Sequence, residues 1–246
     1  MDGMVLGLFL VSTFFGGAVS GLAGFAMGLV VSGVWLHILT PVQTAALIVG
    51  YGLLVQSYSI WKLRHALSWP KVTPFIIGGA VGVPAGAALL SHIDPSYLRI
   101  GVGLLLVFYS TYSLARPVLK PMDAGVAADV GIGVVNGVLG GMTGLAGPFI
   151  TIWCQLRGWP KDEQRAIFQP VILAAFALTA ISLSVAGAIN AELIKLYLYG
   201  LPFLAAGVWS GLKLYGRLDD AAFRKVILVL LLISGIVLVA PELLFR

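Results

Sequence analysis

Apolar residues run through this chain in long blocks, interrupted by polar positions at intervals close to one bilayer crossing. Measured against Gly, Pro and charge, the blocks predict helical segments near 4–36, 42–61, 71–91, 96–115, 126–157, 164–187, 192–215 and 221–240. Successive apolar positions, as in Val102–Val107 and Val226–Ile233, exclude the alternating strands of a β-barrel. Two segments are too long for one span. The first, as an unbroken helix, would be about 50 Å long against a hydrocarbon core of about 30 Å. Each carries glycines in its interior, Gly16-Gly17 and Ser20-Gly21-Leu22-Ala23-Gly24 in one, Gly140-Gly141 and Thr143-Gly144-Leu145-Ala146-Gly147-Pro148 in the other, and is expected to break there.

The two breaks read S-G-L-A-G and T-G-L-A-G, 123 residues apart. A second pair, Ile93–Arg99 and Leu218–Arg224, lies at an offset of 125 and introduces the last segment of each half. The predicted fold is therefore all-α and polytopic, with two repeats of four segments, 1–118 and 129–246, joined by a linker at 119–128.

Composition changes the picture by removing the soluble classes. Only 10% of residues are charged and 59% are hydrophobic, and residues 3–61 contain no Asp, Glu, Lys or Arg. A soluble surface carries about 25% charged residues. The apolar run after Met1-Asp2 has no basic leader and continues past 15 residues, so the first segment is expected to stay in the fold. The net charge of +5 is dispersed over short loops, which argues for orientation in a membrane and against a nucleic-acid partner. If each broken segment returns to the side where it began, loops 62–71, 116–125, 157–165 and 213–225 share one side and hold twelve Lys/Arg, leaving Arg99, Lys195 and Arg246 opposite. The positive-inside rule then places those loops in the cytoplasm of a multi-pass cell (inner) membrane protein, inverts the second repeat relative to the first, and puts both termini on the opposite side.

Broken helices at membrane depth need protein or water to satisfy the freed backbone. In inverted-repeat transporters, half-helix N-termini at such breaks face anionic groups. Ser20 and Thr143 stand where N-cap hydroxyls would be, and amides near Ala23, Gly24, Phe25, Ala146, Gly147 and Phe149 would aim at a common centre. Gly21 and Gly144 would let a ligand approach the backbone. Gly17/Gly21, Gly24/Gly28 and Gly78/Gly82/Gly86 also have the spacing of close helix packing. Tyr51, Gln56, Asn136 and Gln169 are further candidates for the substrate, with interhelical hydrogen bonding as the alternative. Trp35, Trp61, Trp69, Trp153 and Trp159 fall near segment ends and read as interface anchors. One cysteine, Cys154, excludes an internal disulfide and a multi-thiolate metal site. No catalytic motif, metal site or cofactor motif is present in the sequence.

At these residues the sequence resembles the sulfite exporter TauE/SafE family. Gly137–Pro148, with its G-x-x-(S/T)-G-x-x-G-P pattern, the Gly158 loop and Arg165 carry the likeness in the second half, and Gly17–Gly24 in the first. After Gly24, Phe25-Ala26-Met27 stands where members often continue with glycines and a later proline. The resemblance implies a secondary transporter, an exporter of small anions such as sulfite, sulfoacetate or other organosulfur compounds, held at facing half-helix N-termini with alternating access. The implied partners are the small anionic substrate, a coupling ion such as H+ or Na+, and the lipid bilayer. An anion channel of the same fold and a membrane scaffold that transports nothing are the two alternatives.

Overall fold

The structure is a computed structural model that describes residues 3–89, 95–115, 121–122, 124–143 and 147–244. Among the described residues the regular structure is helical throughout. The helices are α1 (Gly3–Ala23), α2 (Met27–Ile38), α3 (Pro41–Lys62), α4 (Trp69–Leu89), α5 (Pro95–Ala115), α6 (Val126–Thr143), α7 (Pro148–Leu156), α8 (Lys161–Val185), α9 (Ala191–Tyr215) and α10 (Asp220–Leu244). α1, α3, α8 and α9 are each long and apolar enough to cross a bilayer. The chain is an all-α polytopic membrane protein.

Local chemistry explains where several helices begin. Thr40 caps α3 in a reciprocal capping box with Gln43, and Pro41 occupies the first turn, where a missing amide costs nothing. The Asn190 side chain accepts from the Leu193 amide at 2.8 Å to start α9, and Asp219 does the same for Ala222 at 2.7 Å ahead of α10.

The helices group into two compact units. The first comprises residues 1–65 and 172–218, and so contains α1, α2, α3, the C-terminal part of α8, and α9. Its core holds Phe9, Val31, Trp35, Leu47, Tyr51 and Leu196. α2 returns alongside α1, with the Trp35 ring 5.1 Å from that of Phe9 and its indole N–H donated to Ser12 Oγ at 2.8 Å. α1 crosses α9 at glycines. A Cβ on Gly17 would sit 2.8 Å from Leu204 O, and one on Gly21 2.6 Å from Val208 O. From the other side, Gly207 and Gly211 lie directly on the carbonyls of Phe14 and Ala18. Lipid offers no hydrophobic drive for helices to associate, so the gain here is dispersion between backbones that only small residues allow to meet.

The second unit comprises residues 66–171 and 219–246, with α4, α5, α6, α7, the N-terminal part of α8, and α10. The same device joins α4 to α6. Gly82 and Gly86 lie on the carbonyls of Val134 and Val138, and a Cβ on Gly133 would be 2.6 Å from Phe75 O. The start of α6 and the end of α7 are neighbours, because Trp153 donates its indole N–H to Asp129 Oδ1 at 2.7 Å, Met122 N reaches Leu156 O at 2.8 Å, and Arg157 donates to Ala124 O. Gly158, at φ +67°, turns the chain after α7 against Pro121.

Two expectations change at this level. Trp35 is fully buried and Trp153 nearly so, and neither anchors an interface. Each lies on a helix that packs back on its predecessor, which takes its ring inside and leaves the N–H in need of an internal acceptor. Trp61 and Trp69, by contrast, are about three-fifths exposed, as expected of anchors. The small-residue spacing at Gly17/Gly21 and Gly82/Gly86 serves helix packing, whereas Gly28 makes only an ordinary contact with Ile48.

Gly211→Ala and Gly82→Ala are expected to lower the thermal stability of the detergent-solubilised protein by about 1–3 kcal/mol, because backbone must move to admit the methyl. Gly33→Ala and Gly101→Ala, where nothing lies within 4 Å, should be neutral or stabilising by up to about 1 kcal/mol. Trp153→Phe should cost more than Trp35→Phe in the same measurement, since it strips a donor from a buried carboxylate and the other strips one from a hydroxyl that keeps its own bonds to Leu8 O and Phe9 O.

Candidate functional site

Each half of the chain contains a point where one helix ends and a shorter one begins, and each lies in a different unit. In the first unit α1 runs through Ser20 and Gly21 to Ala23. Gly24 (φ 86°) and Ala26 (φ 72°) then adopt left-handed backbone and turn the chain into α2. Ala26 is the one non-glycine residue with positive φ among the described residues, a conformation that costs about 1 kcal/mol for a residue with a Cβ.

The expected hydroxyl cap does not form here. Ser20 lies in the last turn of α1, its carbonyl accepting from Gly24 N at 2.7 Å, and Ala26 stands at the cap position of α2 without a side-chain bond. The reason is that S-G-L-A-G continues α1 by one more turn, so the Gly24 amide closes that helix. The turn is satisfied from α3 instead: Gln56 Nε2 donates to Gly24 O at 2.8 Å. That bond fixes the orientation of the amide and leaves Gln56 Oε1, on a side chain 2% exposed, without a partner. An unsatisfied acceptor in such surroundings costs several kcal/mol unless a ligand or water meets it. Ser20, Ala23, Gly24 and Phe25 are all buried around this turn.

Two other sequence candidates of this unit have structural duties. Gly21 is the crossing residue against Val208. Tyr51, fully buried and stacked on Tyr197 with ring centroids 4.7 Å apart, donates its hydroxyl to the carbonyls of Leu196 and Tyr197 at 3.2 and 3.0 Å. Interhelical hydrogen bonding was the alternative for Tyr51, and its hydroxyl is engaged in that way.

In the second unit Thr143 is the last residue of α6, and Gly144 and Ala146 lie outside the described residues. Thr143 is thus no cap for α7. Buried Gly147 takes that position, in extended backbone and without a side-chain cap, and Pro148 opens the helix. Thr151 returns both its amide and its hydroxyl to Gly147 O, at 3.0 and 2.9 Å. Phe149 is half-buried. Asn136, 2% exposed in α6, has an Oδ1 without a partner.

Gln169 is fully buried, and its amide oxygen accepts from Arg165 Nη2 at 2.8 Å and Nε at 3.0 Å. The oxygen is assigned to that side because the opposite orientation would set N–H against N–H. Arg165 itself is 0% exposed. Its place at the edge of a basic loop concealed it as a site candidate. The signal in the sequence is the apolar run that begins one residue later, broken only by Gln169 and Pro170 one helical turn beyond until Thr179. Asp129, also buried in this unit, takes the Trp153 N–H and lies 3.9 Å from Arg157. Cys154 is a buried free thiol. No group of three or more His, Cys, Asp or Glu able to hold a metal occurs among the described residues.

Ala26→Gly is expected to raise thermal stability by up to about 1 kcal/mol by relieving the left-handed turn, and Ala26→Val to lower it by at least as much. Thermal unfolding of the two purified variants beside the parent chain checks both signs.

Residues 8–238 match the sulfite exporter TauE/SafE family. Over 171 residues, 68% of this chain and 71% of the relative, the sequence is 29% identical to the "Probable inner membrane transporter protein TsaS" of Comamonas testosteroni. Over 131 residues it is 29% identical to the "Probable sulfite/organosulfonate exporter TauE" of Cupriavidus necator, a stretch that spans about half (51%) of each chain. No solved structure gives a significant match. With the match reaching from α1 into α10, the chain belongs to the sulfite exporter TauE/SafE family of membrane transporters, which are not enzymes.

Proposed function

We propose that this chain is a secondary transporter of the inner membrane that exports small organosulfur anions such as sulfite or sulfoacetate. The observation that carries this reading is the family match over residues 8–238, and the names of the two relatives support it. The proposed substrate contacts come from the two helix breaks: Ser20, Gly24, Phe25 and Gln56 around one, and Thr143, Gly144, Ala146, Gly147, Phe149, Asn136 and Gln169 around the other. Two features support their use. Gln56 Oε1 and Asn136 Oδ1 are among the buried side-chain polar atoms without a partner in the described residues. The helices at the breaks are also short or end early, leaving backbone groups for a ligand.

In this reading the two halves are inverted repeats, access alternates between the membrane faces, and a coupling ion such as H+ or Na+ drives export. The basic loops face the cytoplasm. With Arg165 removed from the count, because its side chain is fully buried, eleven Lys/Arg remain on that side against three.

Purified protein in liposomes loaded with labelled sulfite, sulfoacetate or thiosulfate is expected to show saturable flux that responds to an ion gradient. Gln56→Leu should reduce it about tenfold, since the Gly24 carbonyl loses its donor and the turn its support. Absence of flux for all three anions overturns the proposal. Flux that is passive and non-saturating identifies a channel instead.

A further inference from the structure

We infer that an apolar groove between α3 and α9 in the first unit, flanked at one end by Arg64 and Lys213, binds one phospholipid with an anionic headgroup. The two helices run parallel. Tyr51 donates its hydroxyl to Leu196 O and Tyr197 O, Tyr197 donates to Gly50 O, and further along both helices Leu54 and Tyr58 share the groove with Leu201 and Trp209. Their C-terminal ends therefore lie on one side of the unit, with Lys62 in the last turn of α3 and Lys213 in the last turn of α9.

The groove has a volume of about 290 Å³. Buried Val55, Leu204 and Val208 form its floor, and Leu54, Tyr58 and Trp209, each between 45% and 64% exposed, form its walls. At 1.5 Å per residue it extends about 12 Å along α9 from Leu201 to Trp209. An apolar groove at this depth of a bilayer takes hydrocarbon, since water is excluded there. The polar groups at its end decide which lipid supplies the chain.

Both walls continue into a cation. The Tyr58 ring stacks on Trp61 with centroids 6.0 Å apart, and Arg64 lies 5.1 Å over the Trp61 ring while donating from Nη1 to Trp61 O. On the other wall Lys213 Nζ lies 5.0 Å over the Trp209 ring. A ring face orients a cation without cancelling its charge. Among the described residues of this unit the one acid is Glu192, in the first turn of α9 and about 30 Å of helix from Lys213. Asp219 and Asp220, which follow in the chain, are engaged by the amides of Ala222 and Lys161. The end of the groove is thus positive, at a level marked by three exposed aromatic rings of the kind found among headgroups. A phosphodiester placed there takes charge-assisted bonds from both cations while its acyl chain covers the apolar floor. A zwitterionic headgroup brings its own ammonium to the same place and gains less.

The test titrates the full chain, stripped of lipid in detergent, with phosphatidylglycerol or phosphatidylcholine and counts bound lipid by native mass spectrometry. The parent is expected to hold one phosphatidylglycerol about tenfold more tightly than phosphatidylcholine. Replacing both cations, Arg64→Gln with Lys213→Gln, should bring the two lipids within about threefold of each other. Ala205→Trp, which fills the groove, should weaken both by about tenfold, whereas Ala206→Trp, at an exposed residue outside the lining, should leave binding unchanged. Equal affinity of the parent for the two lipids overturns the inference, as does phosphatidylglycerol binding that survives both the double replacement and Ala205→Trp. A lipid-free dimer that Ala205→Trp dissociates also overturns it and gives the groove to a second copy of the chain. Should Ala205→Trp fail to fold by size-exclusion profile, the double replacement decides alone. Lipid counting needs no substrate, so its outcome is separate from that of the transport assay.

Discussion

The close approach of helix backbones at glycine is the interaction on which the rest of this molecule depends. A chain with so few charges cannot hold its helices by ion pairs, and in lipid it gains little from burying one apolar face against another. What remains is contact at short range. Where Gly207 and Gly211 rest on α1, and Gly82 and Gly86 on α6, the helices come nearer than any side chain would permit. α1 and α6 are also the helices that run directly into the two breaks. Packing and the two breaks are therefore built on the same two elements, and a methyl group added at either crossing would move the helix that carries the break.

The breaks themselves are settled differently. In the first unit the turn uses two left-handed residues and borrows a side-chain amide from α3, leaving one acceptor unanswered on Gln56. In the second, Thr151 and Pro148 stabilise the beginning of α7 from within.

Much of the architecture was legible in the sequence because its determinants are local. The helix starts at Pro41 and Ala191 follow from Thr40 and Asn190, and the interruptions in residues 4–36 and 126–157 follow from glycines in segments too long to cross once. The misplaced details depend on contacts between residues distant in the chain. Trp35 and Trp153 look like anchors until α2 and α7 pack back on α1 and α6. Ser20 looks like a cap until the helix preceding it is seen to extend through Ala23. Tyr51 is a candidate ligand only while its acceptors on α9, some 145 residues away, are unknown. Arg165 is the converse. Its charge placed it among the loop cations, and only its burial separates it from them.

The compact units are discontinuous in the chain, and this has a consequence for biogenesis. α1 finds its partner in α9, and nearly 170 residues must be made between the end of one and the start of the other. At typical synthesis rates of about 5–20 residues per second, α1 waits on the order of 10–30 s in the membrane before the surface carrying Gly17 and Gly21 can be covered. During that interval its glycine face is open to lipid, to insertion factors or to other nascent chains. The order of synthesis thus delays closure of the first unit, since α2 and α3 are complete long before α9 arrives.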